Sequence, residues 1–529
     1  MTARCFTDVL TWDALVAPGV VLCKDGSLLG GWVVQGIDTE SLDPDAVQAL
    51  RGQIAAGLSH LGDAHTLWTV WQRRPWVPET LLADTGGTAL DVLADETNEI
   101  FAARDLVWTD SLRMFLVWSP EEATQAGLSA RVAAFEAACE GVESWIDPVL
   151  GLRRIDAPGS AGPETEYSAD IVRDLAALLG QDRAAPRIDS TTLPVGLDAL
   201  LAPAVRQGRV GGPLHVDGRR LAVMTLAGER EVYRPAPLEP IQNLALPLIW
   251  ISRYRALSPR SALAETMWKR RTWNQAAANL ASNIEGSGHG DRSRFADRMS
   301  AATEDTRESI ETGADGYGHW LSVLLCYATD RPETPDAALR ALREQVQMSG
   351  FTLVDERAGA VPALLAALPG HATATPRETM VRAQVAADLM PVRGLWPGSR
   401  ICPSPLLPAN TPALLPALTR AGELHHFNLH HGDVGHTLVF GPTGTGKSVL
   451  LGHLAAAWLR YPEAQVIVFD RGRSMRYATA ALGGVFLEPG IGGASGIAPL
   501  SRIGTLGQAW ALEWLSEMVR LDTGTGFVA

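Results

Sequence analysis

Short apolar runs broken by turn residues mark the first third of the chain. Val20-Val21-Leu22-Cys23 and Leu28-Leu29 flank Lys24-Asp25-Gly26-Ser27, and Asp25-Gly26 predicts a hairpin turn. Gly31 to Val34 extends that sheet. A helix is expected near 45–61, strands at 65–71 and 113–118, and helices over 121–143 and 165–179. Strands follow at 221–226 and 244–254. A long helix is expected over 258–284, opened by Ser258-Pro259 in cap and first-turn positions, then a loop at 283–291 and a second long helix at 292–312. The run at 320–327 reads as a strand and 335–348 as a helix. Strands interleaved with long helical excursions indicate a split α/β arrangement, not a repeat array.

A proline-rich stretch interrupts this pattern, with Pro403, Pro405, Pro408, Pro412 and Pro416. Beyond it the periodicity becomes strand, loop, helix, strand. His436 to Phe440 reads as a short apolar strand, and 449–459 as a helix with apolar residues at 450, 451, 454 and 458. Between them lies Gly441-Pro442-Thr443-Gly444-Thr445-Gly446-Lys447-Ser448, which fits G-x-x-x-x-G-K-[ST] in its required context. Small residues let consecutive backbone N–H groups turn inward around phosphate oxygens, and the helix N-terminus adds a partial positive charge. The site expected here is therefore for ATP with Mg²⁺: residues 441–448 as the cradle, Lys447 on the β- and γ-phosphates, Ser448 as the Mg²⁺ ligand.

The next apolar run, Gln465 to Phe469, ends in Asp470-Arg471-Gly472-Arg473-Ser474. Asp470 comes 23 positions after Lys447, the spacing of the strand reached directly after such a helix. It is expected near the site as a candidate catalytic carboxylate, not as the principal Mg²⁺ residue; the plain alternative is a strand-end carboxylate paired with Arg471 or Arg473. After 470 no second apolar run ends in Asp-Glu, and Glu488, Glu513, Glu517 and Asp522 are the remaining acids. About 95 residues from 435 onward is short for a complete P-loop sheet, so the expectation is a P-loop domain cut off before its second acidic strand.

Composition narrows the class. The chain has 529 residues, 46% hydrophobic and 20% charged, which is ordinary globular material. Net charge is −14, so a generally basic nucleic-acid coat is excluded. Five widely spaced cysteines without a CxxC pair argue against a zinc ribbon or disulfide scaffold and for a reducing compartment. Only three lysines occur, Lys24, Lys269 and Lys447, which sharpens the assignment of the loop lysine. No signal-peptide pattern and no apolar run of about 18 residues is present, so membrane contact is expected to be peripheral.

The block from His430 to Gly484 resembles the TrbE-type conjugal transfer ATPases of the VirB-class type IV secretion family. The resemblance rests on His430-His431-Gly432-Asp433-Val434-Gly435-His436 leading into the loop, Arg460-Tyr461-Pro462, Val468 to Met475, and Leu482-Gly483-Gly484. Leu368-Pro369-Gly370, Leu395-Trp396 through Pro408, Ala14 to Gly26, and Gln72-Arg73-Arg74-Pro75 extend it over the whole chain less specifically. It implies a RecA-like ATPase domain, with Gly441, Gly446, Lys447, Ser448 and Asp470 as its site residues. It further implies a cytoplasmic protein on the inner-membrane face, hexameric at full length, that works with other secretion subunits in pilus assembly and DNA transfer. Ile497-Ala498-Pro499-Leu500 departs from the Asn-Pro-Leu of that family. Lacking a second acidic strand, the chain is expected to bind ATP, with turnover left open.

Other constellations carry less. His425, His426, His430, His431 and His436 have spacings that suit no standard metal set. Trp268-Lys269-Arg270-Arg271 with Trp273 admits a nucleic-acid reading, but a solvated helix face explains it more simply. The expected fold is thus α/β: an α+β docking region at 1–184, a second α/β part at 185–400, a connection at 401–430, and an incomplete RecA-like P-loop domain with a mainly parallel sheet at 431–529. Two alternatives stay open: a non-hydrolysing nucleotide-binding scaffold, and a HerA/FtsK-type DNA translocase. The acidic charge weighs against the second, and direct DNA binding is not expected.

Overall fold

The structure, a computed structural model, describes residues 6–77, 81–82, 88–103, 107–119, 127–156, 166–182, 184, 187–189, 196–228, 236–268, 271, 304, 306–313, 315–329, 334–372, 377–488 and 498–523. Two compact units result. One comprises Met1–Pro78, Phe101–Ser399 and Pro416–Phe427; the other Glu79–Ile100, Arg400–Leu415 and Asn428–Ala529.

The first unit is built on one thirteen-stranded sheet. Its strands are β1 (Trp12–Ala17), β2 (Val20–Cys23), β3 (Leu28–Val34), β4 (His65–Pro75), β5 (Trp108–Trp118), β6 (Leu152–Arg154), β7 (Val205–Gln207), β8 (Leu214–Val216), β9 (Arg219–Ala227), β10 (Leu248–Leu257), β11 (Tyr317–Tyr327), β12 (Thr352–Asp355) and β13 (Thr379–Arg382). The order is β1-β2-β3-β5-β4-β10-β11-β9-β8-β7, with β6 on β3, β12 on β9 and β13 on β11. Every ladder in it is antiparallel. The pairing of β4 with β10 joins the two stretches expected as separate parts, so 1–184 and 185–400 build one sheet. The connection expected at 401–430 is likewise divided, since 400–415 falls in the second unit and 416–427 in the first.

Both faces of this sheet are covered, which is why its central strands read as unbroken apolar runs. In β10 every residue but Arg255 is buried. One face packs Trp32, Leu67, Trp71, Met114, Trp250, Trp320 and Leu324 under helices α1 (Pro44–Ser59), α2 (Leu128–Leu150), α4 (Thr334–Met348) and α6 (Ala383–Leu389). The other packs Trp68, Val70, Phe115, Ile249, Ile251 and Val323 under α3 (Asp170–Leu178) and α5 (Ala360–Ala367). Fully burying each such aliphatic or aromatic side chain stabilises by about 1.5–3 kcal/mol.

Local chemistry sets the helix ends. The Asp43 carboxylate accepts from the Ala46 N–H at 2.9 Å and Pro44 opens α1. Gly151, at φ +61°, closes α2. That helix starts at Leu128, later than expected, and runs on to Leu150. The helix expected at 165–179 is shorter, because Glu166–Ser168 pairs with Arg187–Asp189 as a small ribbon. The strand expected from 244 starts at Leu248, after a 3-10 turn over Glu239–Asn243. Of the two long helices expected after 258, residues 259–268 and 306–312 are helical, and 272–303 lie outside the described residues. A separate hairpin pairs β14 (Leu415–Leu418) with β15 (Leu424–Phe427).

Candidate nucleotide-binding site

In the second unit the motif at 441–448 forms a turn that opens directly into α7 (Lys447–Trp458). Gly444 and Gly446 have φ of +86° and +88°, which L side chains rarely adopt. A Cβ built on either meets nothing within 4 Å, so the backbone angle, not crowding, is what calls for glycine. Gly446 caps the helix from the left-handed region, and its carbonyl accepts the first helical bond, from Leu450 N–H at 2.9 Å. Thr445 Oγ1 donates to Pro442 O at 2.9 Å. Lys447 Nζ folds back over the loop and donates to Gly441 O at 2.7 Å and Pro442 O at 2.5 Å. A flexible ammonium held on two carbonyl oxygens is poised to exchange them for phosphate oxygens. Ser448 is exposed. Among the described residues its hydroxyl makes no hydrogen bond, which leaves it free for a cation. The loop amides, the helix N-terminus, Lys447 and this hydroxyl fit a Mg-nucleotide donor for acceptor.

The helix is fixed from behind. Leu454, Ala456 and Ala457 are buried. Trp458 stacks on His430, with ring centroids 5.5 Å apart and planes 12° from parallel, and meets Tyr461 edge-on at 5.3 Å. Tyr461 Oη donates to Pro412 O at 2.9 Å, tying the helix to the proline-rich stretch. Burial, with the Cys402 thiol beside it, pushes the Tyr461 phenol up. Thus the proline-rich segment supports the helix, a role that spacing alone did not suggest.

Asp470 is engaged elsewhere. Its carboxylate accepts from Met475 N–H at 2.8 Å, Gly472 N–H at 2.9 Å and the Ser474 hydroxyl at 3.2 Å. The Met475 and Gly472 amides hold it below the usual carboxylate range. It organises the turn before α8 (Arg476–Ala481), and no hydrogen bond or ion pair among the described residues joins it to 441–448. Arg473, one of its expected partners, pairs with Glu488 instead. The runs expected as strands at 436–440 and 465–469 carry no ladder among the described residues, and Leu438, Phe440 and Phe469 are 76%, 82% and 97% exposed.

The histidines disperse. His425 Nδ1 lies 3.0 Å from Trp396 O, His430 is stacked on Trp458, and His431 pairs with Val434 in a turn. Among the described residues no three His, Cys, Asp or Glu side chains come together as metal ligands. Trp268 is exposed, whereas Lys269, Arg270 and Trp273 lie outside the described residues.

Residues 19–141, from β2 through most of α2, match the N-terminal domain of the type IV secretion system ATPase VirB4/TrbE. The chain is 28% identical to the conjugal transfer protein TrbE of Rhizobium radiobacter, over 98% of its own length and 66% of that protein's. The chain is thus similar to the VirB4/TrbE proteins over nearly its whole length, with the N-terminal domain match the most specific part. A second relative, a probable conjugal transfer protein TrbE of Sinorhizobium fredii, is 29% identical over 73% of this chain and 59% of its own. The type IV secretion system protein virB4 of Bartonella quintana is 30% identical over 39% of this chain and 26% of its own. The chain therefore spans about two thirds, or less, of the length of these relatives. The family-matched residues include strands β2 to β5 of the antiparallel sheet. Among the described residues no helix is long and apolar enough to cross a membrane.

Proposed function

We propose that this chain is an ATP-binding subunit of a conjugative type IV secretion system, taking Mg-ATP at 441–448. The carrying observation is Lys447, whose ammonium folds back onto Gly441 O and Pro442 O of the glycine-rich loop. Phosphate oxygens replace those carbonyls, the loop amides and helix terminus carry the remaining charge, and Ser448 takes Mg²⁺. Mg²⁺ would supply charge neutralisation between the phosphates. In this reading the P-loop unit is part of a RecA-like domain, the assembled protein is a hexamer peripheral to the inner membrane, and nucleotide state biases subunit motion. The relatives named for conjugal transfer and type IV secretion support pilus assembly and DNA transfer as the process served.

A second reading has a specific observation behind it. Asp470 gives its acceptor capacity to its own turn, so the chain as it stands has no assigned carboxylate to position an attacking water. That favours a nucleotide-binding subunit without turnover. Titration with Mg-ATP and a turnover assay, each beside Lys447→Ala, decides between them. Lysine-dependent binding without turnover supports the second reading and lysine-dependent turnover the first. Binding unchanged in Lys447→Ala removes the site.

A further inference from the structure

The second face of the large sheet changes character along β4 and β5. At one end it presents Trp68 and Val70 from β4 and Phe115 and Val117 from β5, all buried. Two residues further along each strand it presents Gln72 and Arg74 opposite Ser111 and Thr109, in the registered pairs Gln72↔Ser111 and Arg74↔Thr109, with Arg113 opposite Val70. These polar residues share the face because side chains repeat with period 2. Helix α3 packs on the apolar end through Ile171, Val172 and Leu175 and then overhangs the polar end. The result is a cavity of about 180 Å³ between strands and helix.

Three guanidinium groups line it. Arg113 Nε donates to Asp174 Oδ2 at 2.6 Å. Arg173 donates to Asp174 Oδ1 at 3.2 Å and to Asp170 Oδ1 at 2.9 Å. Asp174 is thereby shared between two arginines. Arg74 has no carboxylate within ion-pair distance among the described residues; Asp182 and Asp174 attract it from further off, Arg113 and Arg173 repel it, and its hydrogen bond goes to the neutral Gln72 Oε1 at 2.9 Å. Asp182 is the other acid at the cavity, and it stands exposed. The Ser111 and Thr109 hydroxyls have no hydrogen-bond partner among the described residues. Gln72, Ser111 and Arg113 are partly buried where this face runs out from under the helix, and Arg74 and Thr109 are exposed at the mouth, so the polar side chains form a cavity wall that solvent and ions reach.

From this geometry we infer that the cavity between β4, β5 and α3 is a binding site for a small phosphate-class anion, with Arg74 as its main cation and Ser111 and Thr109 as hydroxyl donors. A planar guanidinium without a carboxylate partner is the group that takes phosphate oxygens in pairs. The size selects the ligand: drug-sized molecules occupy cavities of about 300 Å³ and above, so this one suits a phosphate ester or diphosphate, not a whole nucleotide. The site lies entirely within the first unit and does not depend on the P-loop reading.

The test uses the full chain carrying Lys447→Ala, so that the P-loop does not dominate the signal. Pyrophosphate is the probe in isothermal titration. One-to-one binding is expected, weakened at least tenfold by Arg74→Gln and several-fold by Ser111→Ala, with the thermal midpoint unchanged in both. Flotation with phosphatidylglycerol vesicles against phosphatidylcholine vesicles separates the sources. Arg74-dependent flotation assigns the phosphate to a lipid headgroup, and titration without flotation assigns it to a free ester. Absence of binding to both probes, or binding that survives both substitutions, overturns the inference.

Discussion

Arg73 Nη2 lies 3.0 Å from Glu423 Oε1, a residue 350 positions further along the chain. The guanidinium is wholly buried: it also grips Asp110 through Nε at 2.8 Å and Nη2 at 2.7 Å, and lies over the ring of Trp71. Arg393 approaches the same Glu423 oxygen at 3.5 Å. These contacts fasten the β14–β15 hairpin to the edge of β4 and β5. Two carboxylates share few cations here. Burial, then the neighbouring Asp110, pushes the Glu423 carboxyl up to about 8, against the pull of Arg73 and Arg393.

A carboxyl raised in the folded state binds its proton more tightly folded than unfolded. Its contribution is present at low pH and is lost as pH climbs from the ordinary Glu value through about 8. Glu423→Gln, a mimic of the protonated form, should therefore flatten the thermal midpoint between about pH 5.5 and about pH 8.5, with the variant no less stable than the parent at the upper end. A variant that keeps the parental slope would show that Glu423 is ionised throughout. Arg73→Met should do the opposite and lose about 3–5 kcal/mol in urea unfolding, because it leaves the Asp110 carboxylate without its cation.

The sequence made local features legible. The helix near 45–61 and the strands at 320–327 and 65–71 follow from neighbours in the chain. What joins distant residues was not legible. Beyond the hairpin at Asp25-Gly26, strand–helix alternation looks alike whether the strands run parallel or antiparallel, and the ladders, such as β4 with β10 through Val70↔Ile251, reveal an antiparallel sheet. The Arg73–Glu423 contact left no periodic trace, and the runs at 436–440 and 465–469 have strand composition without a strand partner among the described residues.

Between β10 and β11 the buried indoles exchange hydrogen bonds diagonally. Trp250 Nε1 donates to Ser322 Oγ and Trp320 Nε1 to Ser252 Oγ, each at 2.8 Å, around the registered pair Ser252↔Ser322. All four side chains are at most 3% exposed. Removing either hydroxyl leaves a buried N–H unpaired, so Ser252→Ala and Ser322→Ala should each lose about 1–3 kcal/mol in urea unfolding. Equal stability of either variant with the parent would mean that another acceptor reaches the indole.

Asp470 was expected near the nucleotide, and the structure has it holding its own turn through two backbone amides. Asp470→Asn should change Mg-ATP affinity by less than about threefold, since no interaction with 441–448 is lost. A loss of about tenfold or more that appears only with Mg²⁺ present would return Asp470 to the metal site.

Exposed apolar side chains gather on the extended runs of the second unit. Phe469 is 97% exposed, Phe440 82% and Val485 80%, on backbone that forms no ladder among the described residues. An apolar segment with unpaired N–H and C=O groups is a template for another strand. The chain should therefore associate with itself as concentration rises, seen in sedimentation velocity. Phe469→Ser should reduce that association while changing urea stability by no more than about 0.5 kcal/mol, because the side chain loses little contact. Association that is unaltered in Phe469→Ser, at unchanged stability, would place the contact elsewhere on the molecule.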